Sequence, residues 1–272
     1  MMALRHKGIQ CGKPMRVIGV VSLSGGQGKT TTTFFLGLHL SQRGKKTLWI
    51  DADPQANLTF FSGVQNTHES LEKVFRGELD VKNSICSLPW DNLFIIPTDG
   101  GLARINEYLS SSGNGGRMLM RRLKAIHSYF DFCLIDAPPA ISQIVFSVIG
   151  ASSDILIPFE VALKGTNCLV STIQLLLDLA DLEIWNGKVL GVLPFRDKWY
   201  GFNQLIDARE NMDAVKSYLN NQFKIFPAIL ESAKYRSAIR QGKTLAEIGY
   251  PELDAPFLSI LQSLGEEQDG TN

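Results

Sequence analysis

The sequence has little that would place the chain in a membrane or outside the cell. It contains no apolar run of the ~18 to 20 residues that a membrane-spanning helix needs, and its first residues lack the apolar core of a secretory signal. The four cysteines are far apart, with no C-x-x-C pair and no histidines at metal-ligand spacing. Lysine plus arginine equals aspartate plus glutamate, at 27 each, so no net charge draws the chain to polyanions. We therefore expect a cytoplasmic protein with free thiols, in which any nucleic acid would bind a local patch.

Predicted strands and helices alternate from Met15 onward. Several predicted strands are continuous apolar runs, which is typical of a parallel sheet covered by helices on both faces. The pattern predicts an α/β fold with a doubly wound, mostly parallel sheet, and a ligand at the carboxyl ends of the strands. The predicted strands lie near residues 15–21, 46–51, 92–96, 131–136, 154–158 and 188–193, and the predicted helices near residues 29–43, 101–110, 115–128, 141–150, 164–183 and 203–221.

The domain organisation follows from the same alternation. We expect one domain over residues 15–264, because no second domain and no internal repeat is visible. A flexible extension is expected over residues 1–14 and a disordered acidic tail over residues 265–272.

A glycine-rich segment joins the first predicted strand to the first predicted helix. Glycines allow consecutive N–H groups to turn inward around an anion, and Lys29 adds a charge for the β- and γ-phosphates of a nucleotide. The hydroxyl of Thr30 is a suitable ligand for Mg²⁺. The strict phosphate-loop pattern needs a glycine where this chain has Leu23, so the flanking strand and helix favour the assignment. The predicted ATP-binding residues are Ser24, Gly25, Gly26, Gln27, Gly28, Lys29, Thr30 and Thr31.

Three aspartates end two other predicted strands. Asp51 and Asp53 follow one strand and Asp136 follows another, so a parallel sheet brings them to the edge that holds the glycine-rich segment. Phosphoryl transfer to water needs charge neutralisation and a positioned water molecule. We assign Asp136 and Asp53, with Thr30, to the metal site, and Asp51 to positioning of the water. The alternative for each aspartate is a cap on a turn or helix.

Three motifs together resemble those of the ParA/MinD family of dimeric ATPases, often called deviant Walker-A proteins. The motifs are residues 24–32, 51–57 and 132–139, and the similarity extends to about residue 250. The resemblance implies a P-loop NTPase fold, dimerisation on ATP, and slow, partner-stimulated hydrolysis of ATP with Mg²⁺. It also implies adenine contacts at Pro194, Phe195 and Pro227.

The chain departs from the family pattern at Ser24. The family has a lysine there that crosses the dimer interface to the partner's ATP, and a hydroxyl cannot replace that cation. Lys164 follows a predicted strand at the same sheet edge, and we assign it the missing catalytic contact beside Lys29 and Asp51. The alternative is a solvated lysine in the first turn of a helix. A loop serine with a relocated lysine resembles the branch of the family that spaces carboxysomes in cyanobacteria.

The two main branches of the family differ in what the ATP-bound dimer holds. MinD-type proteins bind membranes with a basic C-terminal helix, but this chain ends in Glu266, Glu267 and Asp269, which disfavours a membrane. ParA-type proteins bind nonspecific double-stranded DNA with a basic face. The candidate DNA-binding residues, called the basic patch, are Lys216, Lys224, Lys234, Arg236, Arg240 and Lys243, and the alternative is a solvated helix face.

The resemblance implies a nucleoid-associated homodimer that positions a cargo, with a carboxysome as the first candidate and a plasmid or chromosome as the second. An adaptor protein on the cargo, ParB-like or McdB-like, would stimulate release. Two other functions stay open. One is a small-molecule phosphotransferase or ATP-dependent ligase similar to dethiobiotin synthetase, which turnover requiring a metabolite would favour. The other is an ATP-gated scaffold without useful turnover, which Ser24 keeps open.

Overall fold

An eight-stranded sheet forms the centre of the computed structural model, which describes residues 14–65, 69–201 and 203–266. The order of its strands is β10-β7-β6-β1-β5-β2-β4-β3, and every neighbouring pair is parallel except β3 with β4. A separate hairpin pairs β8 with β9. The strands are β1 (Arg16–Val20), β2 (Thr47–Asp51), β3 (Cys86–Ser87), β4 (Leu93–Ile96), β5 (Phe132–Asp136), β6 (Asp154–Glu160), β7 (Lys188–Asp197), β8 (Trp199–Tyr200), β9 (Asn203–Gln204) and β10 (Ile229–Leu230).

Helices cover both faces of the sheet, which confirms the predicted doubly wound α/β fold. Side chains alternate between the faces along each strand, so Val17 lies in one hydrophobic core and Ile18 in the other. Helices α3 to α8 pack on the first core, and α1, α2, α9 and α10 pack on the second. The helices are α1 (Lys29–Gln42), α2 (Asn57–Ser62), α3 (Leu71–Arg76), α4 (Ile105–Ser111), α5 (Met118–Leu123), α6 (Gln143–Ala151), α7 (Leu163–Asp181), α8 (Ile206–Leu219), α9 (Ala233–Gln241) and α10 (Ala255–Leu264).

All six predicted strands are present, and two of them are longer than predicted. β6 and β7 pair from Asp154 with Lys188 to Glu160 with Phe195, so both continue past the apolar runs that mark them in the sequence. Strands β3, β8, β9 and β10 were missed because two residues show no periodicity.

The predicted helix at residues 115–128 was wrong as a continuous element. Three-residue 3₁₀ turns, Gly115–Arg117 and Lys124–Ile126, flank the short α5. Adjacent glycines favour such a break because glycine is a poor helix former. The predicted helix at residues 101–110 likewise begins as a 3₁₀ turn, Gly100–Arg104, before α4.

Helix α1 lies directly on the sheet and is fixed at its far end. A Cβ atom at Gly37 would come within 1.9 Å of the Trp49 indole nitrogen, so only glycine lets the helix approach β2 this closely. At the far end, Nε2 of His39 lies 2.9 Å from Oδ1 of Asp254, and both side chains are buried. The two carboxylate oxygens of Asp254 also accept the amides of Leu245 at 3.3 Å and Ala246 at 2.7 Å.

The described chain ends just after α10. Gly265 terminates the helix with φ 80°, and a carboxylate oxygen of Glu266 lies 2.7 Å from Nζ of Lys45. Residues 1–13 and 267–272, where an extension and most of an acidic tail are predicted, lie outside the described residues. The domain boundaries stay a prediction.

Within the described ranges, no helix combines the length and the apolar character needed to cross a membrane.

Candidate nucleotide site

The glycine-rich segment forms a tight loop between β1 and α1. Gly26 and Gly28 have φ values of 81° and 92°, a region in which side chains are strained. A Cβ atom at Gly28 would also lie 2.5 Å from the ring of Phe195 in β7. The second and third loop glycines are therefore required by backbone conformation and, at Gly28, by close packing.

Lys29 is the first residue of α1, and its side chain is buried inside the loop. Its ammonium donates to the carbonyl of Ser22 at 3.0 Å and to that of Ser24 at 2.9 Å. Burial lowers the pKa of Lys29, and the nearby carboxylates of Asp136 and Asp53 oppose this shift. The loop carbonyls thus hold a cation at the place where a phosphate group would need one.

Asp136 ends β5 beside the loop. It pairs in register with Val20 of β1 and Asp51 of β2, so the three strands end at one edge as predicted. The hydroxyl of Thr30 donates to Oδ2 of Asp136 at 2.6 Å. Burial, followed by the nearby charge of Asp51, raises the pKa of Asp136 well above its usual range.

The other oxygen of Asp136 is a suitable ligand for a hard cation. Oδ1 is buried and has no hydrogen-bond partner among the described residues. An unpartnered carboxylate oxygen beside a threonine hydroxyl fits Mg²⁺, which is bound by one or two protein oxygens together with water and phosphate oxygens. Within the described ranges, no three His, Cys, Asp or Glu side chains are grouped so that they could hold a metal ion.

Asp51 is buried at the end of β2 and fixes the start of α2. Its Oδ2 accepts the amide of Thr59 at 2.7 Å and the hydroxyl of the same residue at 2.8 Å, and its Oδ1 accepts the amide of Asp53 at 3.2 Å. Burial raises the pKa of Asp51 to about 6. The carboxylate of Asp53 accepts the amide of Gln55 at 2.9 Å. The assigned roles of Asp51 at the water and Asp53 at the metal stay predictions.

Gln27 joins the loop to the end of β6, a contact that the sequence did not predict. Its side chain is fully buried. Nε2 donates to the carbonyl of Gly25 at 3.3 Å, and Oε1 accepts the amide of Glu160 at 2.8 Å. The side chain of Gln27 is therefore used within the fold, while Ser24, Gly25 and Thr31 of the loop are exposed or partly exposed to solvent.

Lys164 is the second residue of α7, four residues after the end of β6. Its side chain is exposed, and its neighbour Leu163 is 69% exposed. The structure therefore places Lys164 at the same sheet edge as the phosphate loop.

The three residues assigned to adenine also lie at this edge. Pro194 and Phe195 are buried in β7, and the ring of Phe195 packs against Gly28. Pro227 is exposed in the segment between Ile225 and Ile229, which both pair with β7. Contact of any of these residues with adenine stays a prediction.

The basic patch is exposed throughout but does not form one continuous face. Arg236 and Arg240 lie one helical turn apart on α9, with Lys243 just beyond it. The ammonium of Lys234 lies 4.3 Å from the ring centre of Tyr250.

The other two lysines of the basic patch lie apart from α9. Lys216 is on α8, which packs on the opposite face of the sheet, and its Nζ lies 3.3 Å from Oδ1 of Asp213. Lys224 contacts Ser263 of α10 and lies over the ring of Phe226.

A glycine-rich loop at the carboxyl end of a parallel strand, with a buried lysine and a strand-end aspartate beside it, defines a P-loop NTPase. The chain belongs to the ParA/MinD family of these proteins, and a family model described as an AAA domain matches residues 15–184. It is 46% identical to Maintenance of carboxysome distribution protein A of Gloeothece citriformis over 93% of this chain and 98% of that protein. The protein of the same name from Synechococcus elongatus is 42% identical over 92% of this chain and all of its own length.

A solved structure supports the same relationship. The ATP complex of a variant of Cyanothece McdA superimposes with a TM-score of 0.93 at 45% identity, covering 96% of this chain and 100% of that one. The chain therefore has the fold of a relative whose structure is known as an ATP complex.

Proposed function

We propose that the chain is a Mg²⁺-dependent ATPase that dimerises on ATP, binds nonspecific DNA as a dimer and positions carboxysomes along the nucleoid. The observation that favours this function most is the position of Lys164. It is an exposed cation at the edge that holds the phosphate loop, in a chain whose loop has Ser24 where the family has its interface lysine. The cargo is proposed from the near full-length similarity to carboxysome distribution proteins.

In this proposal the loop amides and Lys29 bind the phosphates of ATP. Thr30 and Asp136 would hold Mg²⁺, with Asp53 in support, and a bound ion would supply charge neutralisation at the phosphates. Asp51 accepts a hydrogen bond from the attacking water and orients it.

Exposed apolar side chains surround the same edge, as a dimer face requires. Phe60 is 78% exposed after β2, Ile141 is 63% exposed after β5, Leu163 is 69% exposed after β6 and Ile206 is 76% exposed after β7. Each residue lies in a segment that follows the carboxyl end of a strand, on the side of the sheet that also holds the loop. Burying them against a second copy contributes roughly 25 cal/mol for each Å² of apolar surface removed from water.

A charge transplant tests the interface role of Lys164. We expect Lys164→Ala to weaken ATP-dependent dimerisation at least about tenfold, because a charge-assisted contact to phosphate is lost. Adding Ser24→Lys should restore the dimer by placing the cation where the family has it. Mass measured by light scattering with ATP and with ADP reads the result, and Lys124→Ala, an exposed lysine on the first-core face, is the control. An unchanged ATP dimer for Lys164→Ala would contradict the proposal.

DNA binding is proposed for α9 and its neighbouring loop. Nonspecific binding is mostly counterion release, so a dimer with twice the contacts gains affinity without movement of the patch. We expect tight, salt-sensitive binding to an arbitrary duplex with ATP only. The double variant Arg236→Ala with Arg240→Ala should weaken it and flatten its salt dependence, whereas Arg104→Ala with Arg121→Ala on the first-core face should not. No DNA binding in any nucleotide state would remove this part of the proposal.

The cargo is tested in cells. Loss of the chain should cluster labelled carboxysomes, and the wild-type chain but not Lys29→Ala should disperse them again. An adaptor that speeds hydrolysis should be recovered with carboxysomes. Carboxysomes that stay evenly spaced without the chain would contradict this function, and ATP turnover that requires a metabolite would favour the ligase or phosphotransferase.

A further inference from the structure

We infer that Gln27 is a positioning residue that ties the start of α7 to the phosphate loop, so that the conformation of the loop sets the place of Lys164. This inference rests on the proposed role of Lys164 at the dimer interface. It gives a reason for a polar side chain in the interior of a glycine-rich loop, where the loop itself needs only main-chain groups.

Both the nitrogen and the oxygen of the Gln27 carboxamide form hydrogen bonds. The carboxamide donates to Gly25 within the loop and accepts from the amide of Glu160 at the end of β6. Because the side chain is fully buried, an apolar residue of the same size would leave the Glu160 amide and the Gly25 carbonyl without this partner. A displacement of the loop on binding phosphate is therefore transmitted to Glu160.

The chain between Glu160 and Lys164 has little freedom to absorb such a displacement. The amide of Ala162 donates back to the carbonyl of Glu160 at 2.8 Å, which closes a narrow turn. A Cβ atom at Gly165 would lie 1.9 Å from that same carbonyl oxygen, so the first turn of α7 rests directly on Glu160. A movement of Glu160 therefore also moves Gly165 and its neighbour Lys164.

The opposite edge of this segment is fixed as well. The amide of Val161 donates to the carbonyl of Phe195 at 2.9 Å, and the ring of Phe195 packs against Gly28 of the loop. The loop thus reaches the start of α7 by two routes, one through the polar side chain of Gln27 and one through Phe195, whose ring contacts the loop and whose carbonyl accepts the Val161 amide. Gln27 is the polar route that a single substitution removes without changing side-chain volume.

The test is Gln27→Met in two backgrounds. In the wild-type background we expect ATP-dependent dimerisation to weaken about tenfold, the effect of losing a buried hydrogen-bonded link. In the Ser24→Lys, Lys164→Ala background the cation sits in the loop itself, so we expect a change of less than about twofold. The matched control is Gln174→Met, which changes an exposed glutamine on α7, the helix that carries Lys164. It should have no effect in either background.

Equal losses in both backgrounds would overturn the inference, because they would mean that Gln27 only shapes the loop. If Lys164→Ala dimerises normally, the proposed function fails and the inference falls with it. If Lys164→Ala fails to dimerise but Gln27→Met dimerises like wild type, the inference alone fails.

Two further measurements keep the inference testable if Gln27→Met folds poorly or the Ser24→Lys background does not dimerise. Gly165→Ala pushes α7 away from the Glu160 carbonyl without touching the loop, so it should weaken the ATP dimer about tenfold while ADP affinity is kept. In the monomer, hydrogen exchange of the amides of residues 160–165 should be faster in Gln27→Met than in Gln174→Met. Unchanged exchange, or a normal dimer for Gly165→Ala, would contradict the inference.

Discussion

The two ends of α1 both bury titratable side chains, but they satisfy them differently. At the start of the helix, Lys29 is held by carbonyls and Asp136 has an oxygen without a partner among the described residues. At the far end, Asp254 accepts from two amides and lies against His39. Helix α1 therefore joins a polar cluster whose hydrogen bonds are incomplete, at the loop, to one whose hydrogen bonds are complete, at its far end.

The difference separates a binding site from a structural support. Removing charged groups from water is costly at either end, and hydrogen bonds recover the cost only where they are complete. The far cluster recovers it within the folded chain and so stabilises the fold. In the proposed function, the cluster at the loop recovers it only when cations and phosphates bind, so folding prepares part of the free energy of binding.

The largest effect is expected from breaking the complete cluster. Asp254→Ala removes the partner of His39, of the buried Leu245 amide and of the partly buried Ala246 amide, and we expect a loss of about 3–5 kcal/mol in the free energy of unfolding. Urea denaturation measures this loss. Glu252→Ala, an exposed carboxylate nearby, is the control. A loss below about 1 kcal/mol, no more than one ordinary hydrogen bond, would mean that the cluster is not a structural support.

A smaller effect on the free energy of unfolding is expected from a change of pH at the incomplete cluster, where Asp51 of β2 lies next to Asp136 of β5. The pKa of Asp51 is raised to about 6 in the fold, so the folded state binds the proton more tightly than the unfolded state. This contribution to stability is complete below about pH 4 and is lost as the pH rises through about 6, with a size on the order of 1–3 kcal/mol.

Comparison with Asp51→Asn isolates this contribution. The free energy of unfolding without nucleotide, measured from pH 4 to 8, should fall more steeply for wild type than for the variant. Parallel curves would show that the carboxyl of Asp51 has an ordinary pKa.

The smallest effect on stability is expected at Asp136, together with the clearest effect on function. Asp136→Asn removes a carboxyl whose charged form is disfavoured by burial and by Asp51, so the protein without ligand should gain about 1 kcal/mol. The further stabilisation that Mg²⁺ with ATP gives to wild type should be lost. Thermal unfolding with and without Mg²⁺ and ATP measures both effects, and Asp178→Asn, on the exposed side of α7, is the control. A destabilised variant that still gains stability from Mg²⁺ would contradict the comparison.

The sequence was sufficient to predict the position of residues that lie in one segment or at the end of a strand. The phosphate loop, Lys29, and the aspartates at strand ends follow from local pattern and from the rule that parallel strands end at one edge. It was insufficient where two distant residues meet. Gln27 and Glu160 are 133 positions apart, and His39 and Asp254 are 215 apart, so no local periodicity marks either pair.

The basic patch shows the same limit. Arg236 and Arg240 share a helix, and their spacing suffices to place them together on its exposed side. Lys216 is near them in sequence, but α8 and α9 pack on opposite faces of the sheet. Between α8 and α9 the chain passes around the edge of the sheet at strand β10, which is only two residues long, and so reaches the other face.

The strand order also fixes when the nucleotide site can exist during protein synthesis. β1 lies in the middle of the sheet, and its neighbours are β5 and β6, which end at Asp136 and Glu160. The loop is made early on the ribosome, but its supporting strands emerge only after more than half of the chain. A nascent chain therefore holds a complete phosphate-loop sequence without a binding site, and it cannot capture ATP before most of the sheet has folded.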